Sequence, residues 1–232
     1  YGKLSERQRE HIGKMHKAIT IIQYKAEQQT INAHPEWVIS REGTLEHVNP
    51  ERGTFSVNGQ EYPLRDTLFP TVDWSDPYRL TPEEEDMLRK LKHSFRVSDK
   101  LQKHIKCILS HGGMYNICNG NLLFHASVPL NEDGTLKEVE LMGRKSSGRE
   151  LMDRIGIMVR KAFNRDIPRK ERVEARDYLM YLWCGPESPL FGKAKMATFE
   201  RYLLDDKEVQ KEPKGWYYIL RDNPEVCDRI LD

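Results

Sequence analysis

Asn121-Leu122-Leu123-Phe124-His125-Ala126-Ser127-Val128-Pro129 is the stretch on which the reading of this chain turns. Its apolar run predicts a short buried strand, and the small residues and proline behind the histidine make the chain leave the sheet and turn at once. The strand thus delivers His125 to its own C-terminal end. In front of it stands Met114-Tyr115-Asn116-Ile117-Cys118, joined through Asn119-Gly120. That dipeptide accepts the positive φ angles of a type I′ turn, so the two runs predict a hairpin. Ligands gather in crevices outside strand ends, where a rigid sheet aims side chains into a loop-built pocket. One histidine is not a site, however, and the same residue serves equally well to close a strand by bonding a carbonyl.

Helical patterns surround the hairpin. Thr81 caps a helix with Pro82 in its first turn, acidic residues on the positive end of its dipole and an expected buried face of Met87, Leu88, Leu91 and Phe95. Ser98 caps a second, carrying Leu101, Ile105, Ile108 and Leu109 and ending at Gly112-Gly113, where a left-handed glycine cap is expected. His111 falls at that C-terminus, where a cation suits the dipole, and so reads as structural. Downstream, Asn131-Glu132-Asp133-Gly134 is a turn. Ser147-Gly148-Arg149-Glu150 has the form of a capping box, opening a helix that buries Leu151, Ile155, Met158, Val159 and Ala162. Further helices are expected over about 172–183 and 196–204, with Asn223 and Pro224 starting the last.

The N-terminal third has its own pattern. Ile12, Met15, Ile19, Ile22 and Ala26 recur at steps of three and four, which predicts one apolar face of a helix over about 5–33. Three short strands follow, over 44–48, 54–57 and 60–62, separated by Asn- and Gly-containing turns: a meander. The expected organisation is an accessory lobe over residues 1–68, a connection over 69–80 and a main domain over 81–232.

Composition bounds the function classes. The 232 residues carry 37 Lys+Arg against 36 Asp+Glu, a net charge of +1, so no global field favours nucleic acid or an anionic membrane. Cys107, Cys118, Cys184 and Cys227 lie far apart without a C-x-x-C pair, which predicts reduced thiols in a cytoplasmic protein. No apolar run approaches the roughly 20 residues of a membrane span. The chain opens on Tyr1 rather than Met and closes at Asp232 within a helical pattern, which suggests an internal piece of a longer protein.

A second loop, Trp183-Cys184-Gly185-Pro186-Glu187-Ser188-Pro189-Leu190-Phe191-Gly192-Lys193-Ala194-Lys195, also carries chemistry. Its Gly and Pro content fixes an unusual path, and Lys193, Lys195 and the following Arg201 supply charge suited to a phosphate. Such a cluster also serves as ordinary solvated surface charge. Cys184 has no base paired with it in the sequence and makes a poor nucleophile candidate.

Three runs carry a family resemblance: 119–125 with 128–134, then Tyr181-Leu182-Trp183-Cys184-Gly185-Pro186-Glu187-Ser188-Pro189-Leu190-Phe191-Gly192-Lys193, then Met196-Ala197-Thr198-Phe199-Glu200-Arg201-Tyr202. They resemble class III bacterial fructose-1,6-bisphosphatases, and the likeness extends upstream through Leu101–Ile105 and Lys14–Ile19. That family is grouped with the calcineurin-like metallophosphoesterases. The resemblance implies an α/β (α+β) fold: part of a calcineurin-like β-sandwich flanked by helices, with an accessory helix and three-stranded meander. It implies hydrolysis of the 1-phosphate of fructose 1,6-bisphosphate to fructose 6-phosphate in gluconeogenesis, by water activated between two divalent metals, usually Mn2+. His125 matches the superfamily's strand-end metal ligand, whose second ring nitrogen is expected to be held by a carbonyl or carboxylate. Trp183, Cys184, Gly185 and Pro186 resemble a wall that borders the site in phosphoprotein phosphatases, although Gly185 stands where those enzymes have Asp. Lys193, Lys195 and Arg201 are the phosphate-binding candidates.

The superfamily's D-x-H, G-D-x-x-D-R-G, G-N-H and late G-H motifs do not occur in this sequence. They are expected before Tyr1 and after Asp232, so this piece offers one metal ligand, no catalytic residue and no turnover by itself. The implied partner is a sugar bisphosphate, with no nucleic acid or membrane, and a homo-oligomer is compatible with it. Two rival readings stay open: a same-fold phosphoesterase acting on phosphoproteins or dinucleotides, and a non-catalytic interaction module to which residues 1–68 belong.

Overall fold

The computed structural model describes residues 4–37, 39 and 45–232. Its elements run α1 (Glu6–Asn32), β1 (Val48–Asn49), β2 (Thr54–Val57), β3 (Gln60–Pro63), α2 (Pro82–Val97), α3 (Asp99–His111), β4 (Tyr115–Cys118), β5 (Asn121–Phe124), β6 (Val139–Leu141), β7 (Arg144–Ser146), α4 (Gly148–Phe163), α5 (Arg169–Cys184), α6 (Thr198–Leu203), α7 (Trp216–Leu220) and α8 (Pro224–Leu231). A 3₁₀ turn, Leu45–His47, precedes β1. The fold is α+β. Among the described residues the strands form one three-stranded antiparallel sheet, β1-β2-β3, and two separate hairpins, β4–β5 and β6–β7.

The chain forms two compact units. The first takes Tyr1–Glu36, Arg41–Arg96 and Thr198–Gln210; the second takes Trp37–Ser40, Val97–Ala197 and Lys211–Asp232. This division differs from boundaries at 68 and 80. The reason lies in the cores. In the first unit Phe55 of β2 stacks on Phe199 of α6 with ring centroids 4.4 Å apart. Leu203 and Leu204 join Ile21, Tyr24, Leu45 and Val57 around them, so a late segment completes the core of an early one. Arg65 ties the seam, its amide donating to the Leu203 carbonyl at 2.9 Å and its side chain pairing with Asp205 at 2.5 Å.

The expected meander is present, with Phe55 opposite both Val48 and Tyr62. Its first strand is two residues long, because Leu45–His47 turn instead of extending; Thr44 lies outside the described residues. Helix α1 begins at a capping box of Ser5 and Gln8. The expected apolar stripe is corrected. Ile12, Met15 and Ile19 are exposed, and the buried set is Thr20, Ile21, Ile22, Tyr24, Lys25, Gln28 and Ile31. Only the C-terminal half of α1 is covered, and it buries a charge. Lys25 donates to Glu84 at 2.8 Å and to the Thr71 carbonyl at 2.6 Å, and Glu84 also accepts from the Thr81 amide. Burial alone would raise the Glu84 carboxyl, but the Lys25 ammonium and the Thr81 and Thr71 hydrogen bonds outweigh it and hold it below the usual carboxylate range.

The second unit is organised on α4 and α5. Leu151, Ile155 and Met158 meet Ala175, Tyr178 and Leu182, with Val139 and Leu141 of β6 closing the layer and Trp37 set edge-on to Tyr178 at 5.4 Å. Arg154 staples the β6–β7 hairpin to α4 through the carbonyls of Leu141 and Arg144. The hairpin expected at the centre was therefore β4–β5, and the one found against the helices is β6–β7. β4 and β5 pair in the expected register, Tyr115 opposite Phe124 and Ile117 opposite Leu122. They are not buried: Ile117 is 62% and Leu123 53% exposed.

Several local expectations need similar correction. Met87 and Phe95 of α2 and Ile108 of α3 are exposed, while Leu88, Leu91, Leu101, Ile105 and Leu109 are half-buried, so each helix covers its apolar face only in part. Gly112 leaves α3 extended rather than left-handed; a side chain there would meet the Ile108 carbonyl at 2.5 Å, which is why glycine stands in that place. Ser147 caps α4 without a side-chain bond, and the Glu150 carboxylate pairs with Arg144 at 2.7 Å instead of reaching back.

Candidate functional site

Three segments of the second unit meet around one pocket of about 170 Å3. The first follows β5. His125 is exposed, Ala126 turns the chain with φ at +52°, and Ser127 to Leu130 are buried as they form one wall. The Ser127 amide donates to the Pro189 carbonyl at 3.1 Å, tying this wall to the second segment.

The second segment leaves α5 at Cys184. Tyr181 donates its hydroxyl to the Pro186 carbonyl at 2.6 Å, and buried Ser188 donates to the Leu182 carbonyl at 2.5 Å. Burial, reinforced by Glu187, pushes the Tyr181 phenol well above its ordinary range, so it stays a neutral donor. Glu187, at φ +66°, turns toward the pocket and pairs with Lys137.

The third segment is Lys211 to Tyr218. Lys193 and Lys214 form an isolated antiparallel bridge, flanked by Ala194 N–H to the Pro213 carbonyl at 2.9 Å and Gly215 N–H to the Gly192 carbonyl at 3.0 Å. Gly192 has φ +64°, and a Cβ on it would meet Ser127 Oγ and Tyr218 Cε2, each at 2.8 Å. Any other residue type would be strained there and would force Ser127 or Tyr218 to shift. Glu212, largely buried, holds the Lys193 ammonium at 2.5 Å and accepts from the Ala197 amide at 3.0 Å.

The expected site residues are only partly brought together. His125 stands two residues before the pocket wall, and Lys193 and Pro186 line the pocket. Trp183 is 48% exposed, whereas Cys184 is buried with its thiol on the Met180 carbonyl, and Gly185 lies under the Tyr181 ring. Lys195 is half-buried. Arg201 belongs to the first unit, where its Nε donates to the Gln210 carbonyl at 3.1 Å. His111 bonds the Cys107 carbonyl at 3.2 Å at the end of α3, a structural contact. Among the described residues, His125 has no hydrogen-bond partner, and no group of three His, Cys, Asp or Glu could hold a metal. The donor set therefore does not fit a complete metal centre, and His125 offers a single imidazole.

Lys137, Glu187, Glu212, Lys214 and Trp216 were not legible as site residues. The bridge pairs residues 21 apart with no hairpin pattern between them. Only the Lys214-Gly215-Trp216-Tyr217-Tyr218 run, a cation followed by aromatics, carried a signal.

The sequence model of the Firmicute fructose-1,6-bisphosphatases matches residues 2–232, and the chain belongs to that family. It is 53% identical over 221 residues to a "Fructose-1,6-bisphosphatase class 3" of Bacteroides fragilis, covering 95% of this chain and 33% of that protein. Proteins of the same description from Parabacteroides distasonis and Clostridium acetobutylicum are 50% and 46% identical, over 95% and 96% of this chain and 33% of each protein. The chain thus spans about a third of the length of the curated relatives it matches. No solved structure matches it.

Proposed function

We propose that this chain is part of a metal-dependent fructose-1,6-bisphosphatase, which removes the 1-phosphate of fructose 1,6-bisphosphate to leave fructose 6-phosphate and phosphate in a gluconeogenic cytoplasm. The observation that carries the reading is the match over essentially the whole chain to a family of that description. The pocket beside His125 supports it, since a cation-bearing cleft at a strand end is where such a substrate would sit. On this reading the chain contributes to a calcineurin-like domain, and α1 with the β1–β3 sheet is an accessory lobe.

A divalent metal such as Mn2+ enters through the family resemblance. When bound, such a metal polarises phosphoryl oxygens and activates water. This chain's part is narrower: His125 can give one ligand, while Lys137, Lys193 and Lys214 line the pocket, the first two each paired with a carboxylate.

The test uses a protein of the relatives' full length containing these residues. Mn2+-dependent release of phosphate from fructose 1,6-bisphosphate is expected. His125→Ala should lower bound metal and cut turnover by about 100-fold, the upper end of what changes to the groups supporting metal ligands cost, while His111→Ala should leave both unchanged. Hydrolysis of a phosphopeptide or dinucleotide in preference to the sugar would overturn the substrate. Full metal and activity in His125→Ala would overturn the ligand.

A further inference from the structure

We propose that Lys214, set against Lys193 on the bridge between the second and third segments, anchors the phosphate of a phosphorylated sugar, with Trp216 flanking the sugar. The inference rests on the bisphosphatase reading for the sugar's identity, and on the pocket's own charges for the anion.

The pocket contains three lysines, of which two are already balanced. Lys137 pairs with Glu187, and Lys193 with the largely buried Glu212. Among the described residues Lys214 has no carboxylate partner; its ammonium lies 5.7 Å from the Tyr218 ring centroid. Like charges directly opposite on an antiparallel pair repel, so placing Lys214 across from Lys193 carries a cost. Glu212 relieves half of it and leaves one net positive charge at the pocket rim. A phosphate monoester dianion between the two ammonium groups would remove the remaining repulsion and gain charge-assisted hydrogen bonds from both.

The rest of the cleft matches such a ligand. Its volume of about 170 Å3 lies below the range of drug-sized sites, which suits a compact molecule. Trp216, 38% exposed, and Tyr217 line the same pocket, so aromatic side chains share it with the lysines. Gly192 keeps the floor open where any Cβ would strike Ser127 and Tyr218. Lys214 would thus be a binding residue for the substrate's far end or for the product, and Glu212 a positioning residue acting through Lys193.

Calorimetric titration of this chain with fructose 6-phosphate, fructose and inorganic phosphate tests the site apart from catalysis. Fructose 6-phosphate should bind at least about tenfold more tightly than fructose, weakening as salt rises. Lys214→Gln should lose about that factor, and Lys214→Arg should retain it within about threefold. Equal binding of fructose and fructose 6-phosphate, or unchanged affinity in Lys214→Gln with native circular dichroism, would overturn the proposal. Inorganic phosphate binding as tightly as fructose 6-phosphate would overturn the part given to Trp216. The two readings fail separately. A full-length protein inert toward fructose 1,6-bisphosphate, beside a chain that binds the sugar phosphate through Lys214, would sink the enzymatic reading alone. Full hydrolysis with an unchanged KM in Lys214→Gln would sink this site alone.

Discussion

Single residues of the pocket show how backbone conformation, more than side-chain chemistry, builds it. Ala126 and Glu187 both sit at positive φ, a region that L residues with a Cβ enter at a cost of about 1–3 kcal/mol, and both flank the cleft. Gly192 meets the same demand without that cost, but for a second reason as well, the 2.8 Å approach of Ser127 and Tyr218. Gly192→Ala should therefore destabilise the chain by about 1–3 kcal/mol through strain and overlap together. Urea denaturation would measure it, and a midpoint equal to the wild type would show that the convergence of the three segments is looser than described. Gly192 was visible in the sequence as loop punctuation. Its role was not, because the atoms it avoids come from residues 65 and 26 positions away.

Elements were more legible in kind than in placement. The hairpin of β4 and β5, the Thr81 and Asn223 caps and the extents of α4 and α5 follow from turn residues and 3.6-residue periodicity, which are local properties. Burial depends on what packs from elsewhere. The apolar stripes of α3 and α4 look alike in sequence, yet Ile108 is 64% exposed and Ile155 is 1% exposed. Two substitutions should separate them. Ile108→Lys should change stability by less than about 0.5 kcal/mol, as for surface positions, while Ile155→Ala should cost about 2–5 kcal/mol through its cavity. Thermal unfolding of the two variants reads the difference, and comparable losses would mean that α3 is packed in solution. The reciprocal half of the capping box at Ser147 failed for a nameable reason: the Glu150 carboxylate pairs with Arg144, on the hairpin side, in place of the serine amide.

At the scale of the whole molecule, the clearest energetic feature is the buried Lys25–Glu84 pair in the first unit. Because the Glu84 carboxyl is held below its unfolded value of about 4.3, its contribution is present above that pH and is lost as pH falls through the lower, folded value. Acid titration from pH 7 to 3 should therefore unfold the wild type more steeply than Glu84→Gln, which has no proton to take up there. Equal acid sensitivity would show that other carboxylates dominate. Breaking the pair from the other side, by Lys25→Met, should cost about 3–5 kcal/mol at neutral pH, since it strands a buried charge. This pair was invisible beforehand because it joins residues 59 apart and places a lysine where the helical pattern asks for an apolar residue.

The late return of Thr198–Gln210 to the first unit also sets a timetable for synthesis. Phe55 stacks on Phe199, so the early sheet lacks its core partner until more than a hundred later residues, including all of α4 and α5, have been translated. At roughly 5–20 residues per second that interval is about 7–30 s. During that time the nascent sheet would present the face of Phe55 that Phe199 covers to whatever attends the ribosome, and a message truncated before the Phe199 codon would leave it so permanently.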